Sequence, residues 1–325
     1  MNPSIVGTAD ARAALDRLLA ELRPKLHRYC ARMTGSVIDG EDVVQEALVK
    51  AIEAFPQAQS IAHPEGWLFR IAQNAALDFL RRRTRQESAR VDEDPDMIVD
   101  PAIPTRDRQI AAASLRTFMR LPAAQRSSVI LMDVLGYSLE EIGGVMDSSV
   151  PAVKAALHRG RARLRALAQE PEDTPLPGLA EPERSLLAAY VERFNARDFD
   201  AIRDMLADEV RLELVARTRM NGRNEVRKYF HNYALVEDWH FSAGLVDGRP
   251  AALVHRPDIS PRTPAYFVLL AWDGERVMQI RDFRYARYAT EAPSCRWVRK
   301  RSAVLSWHAR AESGPPDKIA ALARI

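Results

Sequence analysis

The chain has 325 residues and a formal net charge of +3, so it is longer than one typical domain and its overall charge points to no particular partner. Its two cysteines, Cys30 and Cys295, are too few for a disulfide framework, and its scattered histidines lack metal-ligand spacing. No apolar run has the length of a signal peptide core or a transmembrane helix. We therefore expect a cytoplasmic protein without membrane association, metal or cofactor.

Residues 9–86 predict a small helical domain. Apolar residues at helical spacing predict helices over residues 9–33, 41–55 and 66–83, with a loop at 56–65 between the last two. The second helix has an acidic and amide-bearing face. The third helix ends in a run of arginines. A single arginine would give a favourable charge at a helix C-terminus, and this run contains several. That run indicates contact with a polyanion.

Residues 87–105 are acidic and contain proline, which predicts a linker to a second helical module at residues 106–168. In that module a short acidic helix at 138–146, a tight turn and a basic helix capped by Ser149 have the helix-turn-helix layout. Such a unit places its second helix in the DNA major groove. We therefore predict DNA binding by the basic helix.

Together the two modules resemble bacterial sigma factors of the extracytoplasmic-function group. EDVVQEALVKAIEAF and WLFRIAQNAALDFLRRR are similar to region 2 of that family, and LPAAQRSSVILMDVLGYSLEEIGGVMDSSVPAVKAALHRGRARLRAL is similar to region 4. The resemblance implies binding to core RNA polymerase, at the β′ clamp and the β flap, and to promoter DNA. One departure from the family pattern, Ala155-Ala156, and the mid-helix Gly160 predict weaker or differently specified −35 recognition.

The resemblance also implies roles for individual residues. The residues implied for polymerase binding are Glu41, Asp42, Gln45 and Glu46. Those implied for the −10 element are Gln59, Ser60, Arg70, Asn74, Asp78, Arg81 and Arg82. Those implied for the −35 element are Ser149, Lys154, His158, Arg159, Arg161 and Arg163.

A segment rich in proline and acidic residues, 169–182, precedes a predicted α+β domain at 183–292. A helix interrupted near Arg197-Asp198 is followed by a strand, a short helix at 225–233 and further strands that predict a curved antiparallel sheet. NGRNEVRKYF, GLVDGRPAALV and RVMQIRDFRYARY resemble a SnoaL-like domain, whose cone-shaped fold encloses a pocket. Fused after region 4, such a domain is expected to be a built-in regulator. Residues 293–325 form a basic tail without an assigned role.

Two interpretations of the predicted pocket stay open. Its candidate residues are Trp239, His240, Tyr266, Asp282 and Arg284. A carboxyl group near apolar walls has a raised pKa and could act as an acid or base, or help to bind a small-molecule ligand of unknown identity. Alternatively, Asp282 and Arg284 pair on the outer face of the sheet, which is the interpretation that we favour.

The sequence thus predicts a multidomain protein with two all-α modules and a C-terminal α+β domain, acting as a sigma factor and catalysing no covalent reaction. One alternative is a SnoaL-like enzyme, of the isomerase or cyclase type, tethered to a helix-turn-helix module. Another is a helix-turn-helix regulator that binds duplex DNA without polymerase. The second alternative leaves the acidic helix and the arginine-ended helix without a role.

Overall fold

A computed structural model describes residues 9–57, 61–88, 115–168, 181–236, 238–256 and 263–290. The described residues divide into two compact units, one before residue 169 and one from residue 181 to residue 290. The first unit is helical and the second is strand-rich, which confirms the predicted fold class. Within the described ranges, no helix is both long and apolar enough to cross a membrane.

The first unit begins with three helices: α1 (Ala9–Thr34), α2 (Val37–Ala54) and α3 (Pro64–Ser88). Helix α2 begins four residues before its predicted start at residue 41, because the Ser36 side chain accepts a hydrogen bond from the Asp39 amide at 3.0 Å and caps it. Helix α3 begins at a proline, which suits the first turn of a helix. Apolar side chains from all three helices form one core.

The second helical module contains α4 (Leu115–Met119), α5 (Ala123–Val129), a π-helical turn (Ile130–Val134), α6 (Leu139–Met146) and α7 (Val150–Ala168). Ser138 and Glu141 form a capping box at the start of α6. Asp147 ends that helix in the left-handed conformation, with a φ of 51°. These features confirm the helix-turn-helix layout.

Gly160 has a packing role in α7. A Cβ atom added there would lie 2.8 Å from Cγ2 of Val129 and 3.1 Å from the carbonyl oxygen of Gln125, so α7 approaches α5 too closely for any larger residue. Ala156 is also buried. Two of the positions that suggested altered −35 recognition therefore serve the core of the module.

A buried polar cluster joins the two helical modules. Tyr29 of α1, Gln73 of α3 and Ser127 of α5 are mutually hydrogen-bonded, with 2.8 Å between the Tyr29 and Ser127 hydroxyl oxygens and 2.8 Å from Ser127 to the Gln73 amide oxygen. Arg126 donates to the carbonyl oxygen of Met33 in α1 and, at 2.8 Å, to that of Leu121. We call the three side chains Tyr29, Gln73 and Ser127 the joint cluster.

Among the described residues, the second unit has three α-helices and a six-stranded sheet. The helices are α8 (Glu183–Asn195), α9 (Phe199–Asp204) and α10 (Arg223–Ala234). The strands are β1 (Leu206–Leu214), β2 (Thr218–Asn221), β3 (His240–Val246), β4 (Arg249–His255), β5 (Tyr266–Asp273) and β6 (Arg276–Asp282), in the order β2-β1-β6-β5-β4-β3.

The sheet differs from the antiparallel prediction at one junction, because β1 and β6 are parallel. Strand β2 folds back on β1 as a hairpin, and helix α10 then carries the chain away before β3. Strand β2 itself was not predicted, because its four residues TRMN have no apolar alternation. The helices pack on one face of the sheet around an aromatic core in which Phe194 stacks on Phe241 with ring centroids 4.1 Å apart.

Candidate functional site

The predicted polymerase-binding face on α2 is only partly exposed. Asp42 is exposed, whereas Glu41 is 1% exposed and is paired with Arg23 of α1. Arg23 also donates to the Gln45 amide oxygen at 2.8 Å, which leaves Gln45 half-buried. The prediction for Glu41 is therefore corrected: its side chain faces α1 and stabilises the contact between two helices instead of facing a partner.

Glu46 is the centre of a charge network between α2 and α3. Its carboxylate oxygens lie 2.8 Å from Lys50 Nζ and 2.7 Å from an Arg82 guanidinium nitrogen. Lys50 Nζ also lies 3.8 Å from the Asp78 carboxylate. Partial burial alone would raise the pKa of Glu46, but the hydrogen bonds from Lys50 and Arg82 hold that pKa below its ordinary value. Glu46 is therefore a carboxylate at neutral pH.

Residues predicted to contact the −10 element form one line along α3. Arg70, Asn74, Asp78 and Arg81 follow at helical spacing, and all but the half-buried Asp78 are exposed. Arg70 pairs with Asp147 of the helix-turn-helix turn at 2.9 Å, and Arg81 pairs with Asp78 at 3.2 Å. Of the three remaining candidates, Arg82 is exposed and pairs with Glu46, whereas Gln59 and Ser60 lie outside the described residues.

Helix α7 presents most of the residues predicted for the −35 element. Ser149, Lys154, His158 and Arg159 are exposed, and Arg163 is half-exposed. Arg161 differs, because both ends of its guanidinium are bonded to the carboxylate of Asp133, with 2.9 Å between Nε and Oδ2. The Asp133 side chain is 2% exposed. Arg161 is therefore corrected from a DNA contact to a residue that holds α7 against the π-helical turn.

The C-terminal unit brings Tyr266, Asp282 and Arg284 together and adds two tyrosines that the sequence analysis missed. Tyr229 and Tyr233 of α10 each donate a hydrogen bond to Asp282 Oδ2 at 2.9 Å. The Tyr266 and Tyr233 hydroxyls are 2.9 Å apart, and the Arg284 amide donates to Asp282 Oδ1 at 2.8 Å. We call Tyr229, Tyr233, Tyr266 and Asp282 the tyrosine–aspartate cluster.

This geometry contradicts the favoured prediction of an outward Asp282–Arg284 pair. Asp282 is fully buried on the face of the sheet that packs against the helices. Arg284 contacts it through the backbone and lays its guanidinium over the Tyr233 ring, 5.4 Å from the centroid. The spacing of Tyr229 and Tyr233 by one helical turn was the signal that could have placed both on the pocket side.

Burial raises the pKa of Asp282, in opposition to the hydrogen bonds from the Arg284 amide, Tyr233 and Tyr229. Burial also raises the pKa values of Tyr229 and Tyr233 well above 10, so both hydroxyls keep their protons. The adjoining cavity has a volume of about 30 Å3, which is room for about one water molecule. A typical small-molecule site is roughly ten times larger or more.

Of the other two pocket candidates, Trp239 packs edge-on against the Tyr233 ring, with ring centroids 5.6 Å apart. Trp239 is part of the aromatic core, where the Arg197 guanidinium lies 4.5 Å from its ring centroid. His240 is exposed at the start of β3. Within the described part of the chain, no group of three or more His, Cys, Asp or Glu side chains could hold a metal ion. The tyrosine–aspartate cluster is thus a hydrogen-bonded group in the core of the domain, next to a cavity with room for about one water molecule.

Comparison with protein-family models identifies three matches along the chain. Residues 18–86 match Sigma-70 region 2, residues 115–164 match Sigma-70 region 4 and residues 187–289 match the SnoaL-like domain. The matches occur in the order that the sequence motifs predicted. They cover the three α-helices of the first module, the helix-turn-helix and the strand-rich unit.

Curated proteins that are similar to this chain include ECF RNA polymerase sigma factors. The chain is 27% identical over 288 residues to the ECF RNA polymerase sigma factor SigG of Mycobacterium tuberculosis, covering 79% of this chain and 78% of the relative. It is 32% identical to the ECF RNA polymerase sigma factor ShbA of Streptomyces griseus, covering 50% of this chain and 90% of the relative. Among solved structures, the extracytoplasmic-function sigma factor SigJ of Mycobacterium tuberculosis is 18% identical, with 82% of this chain and 95% of that one covered and a TM-score of 0.32.

Proposed function

Because the chain belongs to the extracytoplasmic-function (ECF) group of RNA polymerase sigma factors, we propose that α2 presents Asp42, Gln45 and Glu46 to the clamp of the polymerase β′ subunit. The chain is a transcription regulator and not an enzyme: it binds core RNA polymerase and promoter DNA and initiates transcription. The partly exposed acidic side of α2 supports this surface, since an acidic face complements a basic partner and gains association rate and register from that match.

Promoter contacts are proposed for two helices. Helix α3 would contact the −10 element through Arg70, Asn74, Asp78, Arg81 and Arg82. Helix α7 would contact the −35 element through Ser149, Lys154, His158, Arg159 and Arg163. Both groups lie mainly on exposed helix faces, where guanidinium and amide groups can reach phosphates and base edges. The second module would also contact the β flap.

We also propose the domain limits 9–86, 106–168 and 183–292, and a regulatory role for the last of these. Two features of the tyrosine–aspartate cluster favour regulation over catalysis. The Asp282 carboxylate already accepts three hydrogen bonds, and the adjoining cavity of about 30 Å3 is too small for an organic substrate. The domain therefore acts on transcription through its attachment to the sigma modules.

Transcription in vitro with purified core polymerase tests the proposal. The full chain should give specific transcripts, and Asp42→Lys combined with Glu46→Lys should abolish them together with polymerase binding. Glu21→Lys is the matched control, because Glu21 is an exposed acid on α1 outside the proposed face. Equal polymerase binding by both variants would contradict the assignment of α2. A version ending at residue 170 should differ from the full chain in transcript yield, and equal yields would contradict the regulatory role.

A further inference from the structure

The sheet of the C-terminal unit has a second face, opposite the helices, and part of that face is apolar and buried. Side chains alternate between the two faces along a strand. The neighbours of the aromatic-core residues on β4 and β5 therefore point away from the helices. Four of these neighbours, Ala251, Leu253, Phe267 and Leu269, are apolar and buried, and we call them the outer apolar patch.

The described residues account for only part of the burial of this patch. Phe283 stacks on Phe267 with ring centroids 4.2 Å apart. Leu253 lies against Gly244 of β3, because a Cβ atom added at Gly244 would be 2.5 Å from Leu253 Cδ1. Leu253 and Phe267 are nevertheless 0% exposed, and His255 on the same face is also buried. Since α8, α9 and α10 pack on the opposite face, another segment has to cover the outer apolar patch.

The buried part of this face ends within β5. Ala271 lies on the same face of that strand as Phe267 and is exposed. Its neighbour on β6 is Gln279, whose neighbour on β1 is Arg211, and both are exposed. Arg211 and Gln279 line an open polar groove of about 830 Å3. The cover is therefore confined to the apolar half of the face, as expected for a segment with apolar side chains of its own.

The described part of the chain ends beside the outer apolar patch. Thr290 Oγ1 donates a hydrogen bond of 3.3 Å to the carbonyl oxygen of Ala265, which directly precedes β5. Trp297 follows Thr290 by seven residues, a length that spans about 23 Å when extended. Strands β5 and β3 are two strand spacings apart, or about 10 Å. The residues after Thr290 can therefore reach across the whole patch.

The sequence of residues 293–325, the C-terminal segment, suits an apolar surface. It contains Trp297 and Trp307, two of the five tryptophans of the chain. Val298, Val304 and Leu305 lie close to them in the sequence. Segments that stay in water have few aromatic and β-branched residues, whereas one tryptophan can bury about 150–250 Å2. The composition therefore favours a docked segment over a solvated basic tail.

We propose that the C-terminal segment docks on the outer apolar patch of its own chain, with Trp297 and Trp307 against Leu253 and Phe267. The segment then completes the core of the C-terminal domain, whose limit moves from residue 292 to at least residue 307. A second copy of the chain and the helical unit are the alternative occupants of the patch. The inference does not depend on the proposed roles of α2, α3 and α7.

Photo-crosslinking of the full chain tests the contact directly. Trp297→p-benzoylphenylalanine and Trp307→p-benzoylphenylalanine, irradiated at low protein concentration, should give crosslinks within one chain to peptides of β4 and β5. Lys228→p-benzoylphenylalanine is the control, because Lys228 is exposed on α10 at the other face of the sheet and should not label the patch. Crosslinks between two chains, crosslinks to residues 9–168 alone, or no crosslinks to β4 and β5 would each overturn the proposal.

A second experiment measures whether the tryptophans cover the patch. Trp297→Ser combined with Trp307→Ser should raise the fluorescence of an apolar dye severalfold and lower the melting temperature of the C-terminal unit by about 5 °C or more. Arg299→Ser combined with Arg301→Ser is the control in the same segment, because it removes no apolar side chain. If the tryptophan variant behaves like the control, the proposal is wrong. Should the double tryptophan variant fail to fold, Trp297→Ser and Trp307→Ser are measured singly against the same control.

Discussion

The two units of the chain both bury polar groups, but they bury them differently. The joint cluster of Tyr29, Gln73 and Ser127 is neutral and links helices of two modules. The tyrosine–aspartate cluster surrounds a fully buried carboxyl group, Asp282, and lies within one domain. A neutral hydrogen-bonded contact can exchange its partners for water at little cost, whereas a buried carboxylate needs its donors fixed in place.

This difference between the two clusters agrees with the roles that we propose for the two units. In the proposed function the two helical modules contact two separate promoter elements, and hydroxyl and amide groups that become exposed when their contact opens are solvated again. The tyrosine–aspartate cluster has no such requirement, since helix α10 and strand β6 form a single core around it. We therefore expect the joint cluster to contribute modestly to stability and the tyrosine–aspartate cluster to contribute strongly.

The largest effect is expected from Asp282→Ala. This change leaves the Tyr229 and Tyr233 hydroxyls and the Arg284 amide without their acceptor. Each buried donor without a partner costs about 1–3 kcal/mol, so the free energy of unfolding of the C-terminal unit should fall by about 3 kcal/mol or more. Calorimetry of the full chain measures the loss, and a change under about 1 kcal/mol would contradict a structural role for the cluster.

The pH dependence of the same transition provides the control for Asp282. Because the folded-state pKa of Asp282 is raised above its unfolded value of about 3.9, the folded state retains a proton that the unfolded state has lost. The resulting stabilisation is complete below that unfolded value and disappears as the pH rises through the folded-state pKa. The difference in melting temperature between the original chain and Asp282→Ala should therefore shrink as the pH increases over that range, and a constant difference would contradict the raised pKa.

A smaller effect is expected when one donor is removed. Tyr233→Phe deletes a hydrogen bond to Asp282 and should lower the free energy of unfolding by about 1–3 kcal/mol. Tyr190→Phe is the matched control, because the Tyr190 hydroxyl is equally buried and has no hydrogen-bond partner among the described residues. It should cost less than about 0.5 kcal/mol or even stabilise the unit. Equal losses in the two variants would show that packing of the ring, and not the hydrogen bond, carries the effect.

The features that the sequence predicted correctly are those that depend on residues close together in the chain. Ser138 and Glu141 are three residues apart and mark the start of α6, and apolar periodicity located most helices. Asp282 lies on a strand whose alternation is visible, but its inward direction depends on which face the helices cover. The burial of Glu41 was not predictable, because its partner Arg23 is on another helix whose packing no local pattern gives. The Arg161–Asp133 bond, 28 residues apart, was missed for the same reason.

The smallest effect is expected in the joint cluster. Ser127→Ala removes one of three hydroxyl and amide groups, but Tyr29 can still donate to Gln73, so the helical unit should lose only about 0.5–1 kcal/mol. Ser128→Ala is the matched control, because the Ser128 hydroxyl bonds the Ala124 carbonyl and the Met146 sulfur within its own module. Hydrogen exchange should show faster opening at the α1–α5 contact in Ser127→Ala and unchanged exchange in Ser128→Ala. A loss as large as that of Tyr233→Phe would mean that the joint cluster stabilises its contact as strongly as the tyrosine–aspartate cluster stabilises the C-terminal unit. The proposed difference between the two clusters would then be wrong.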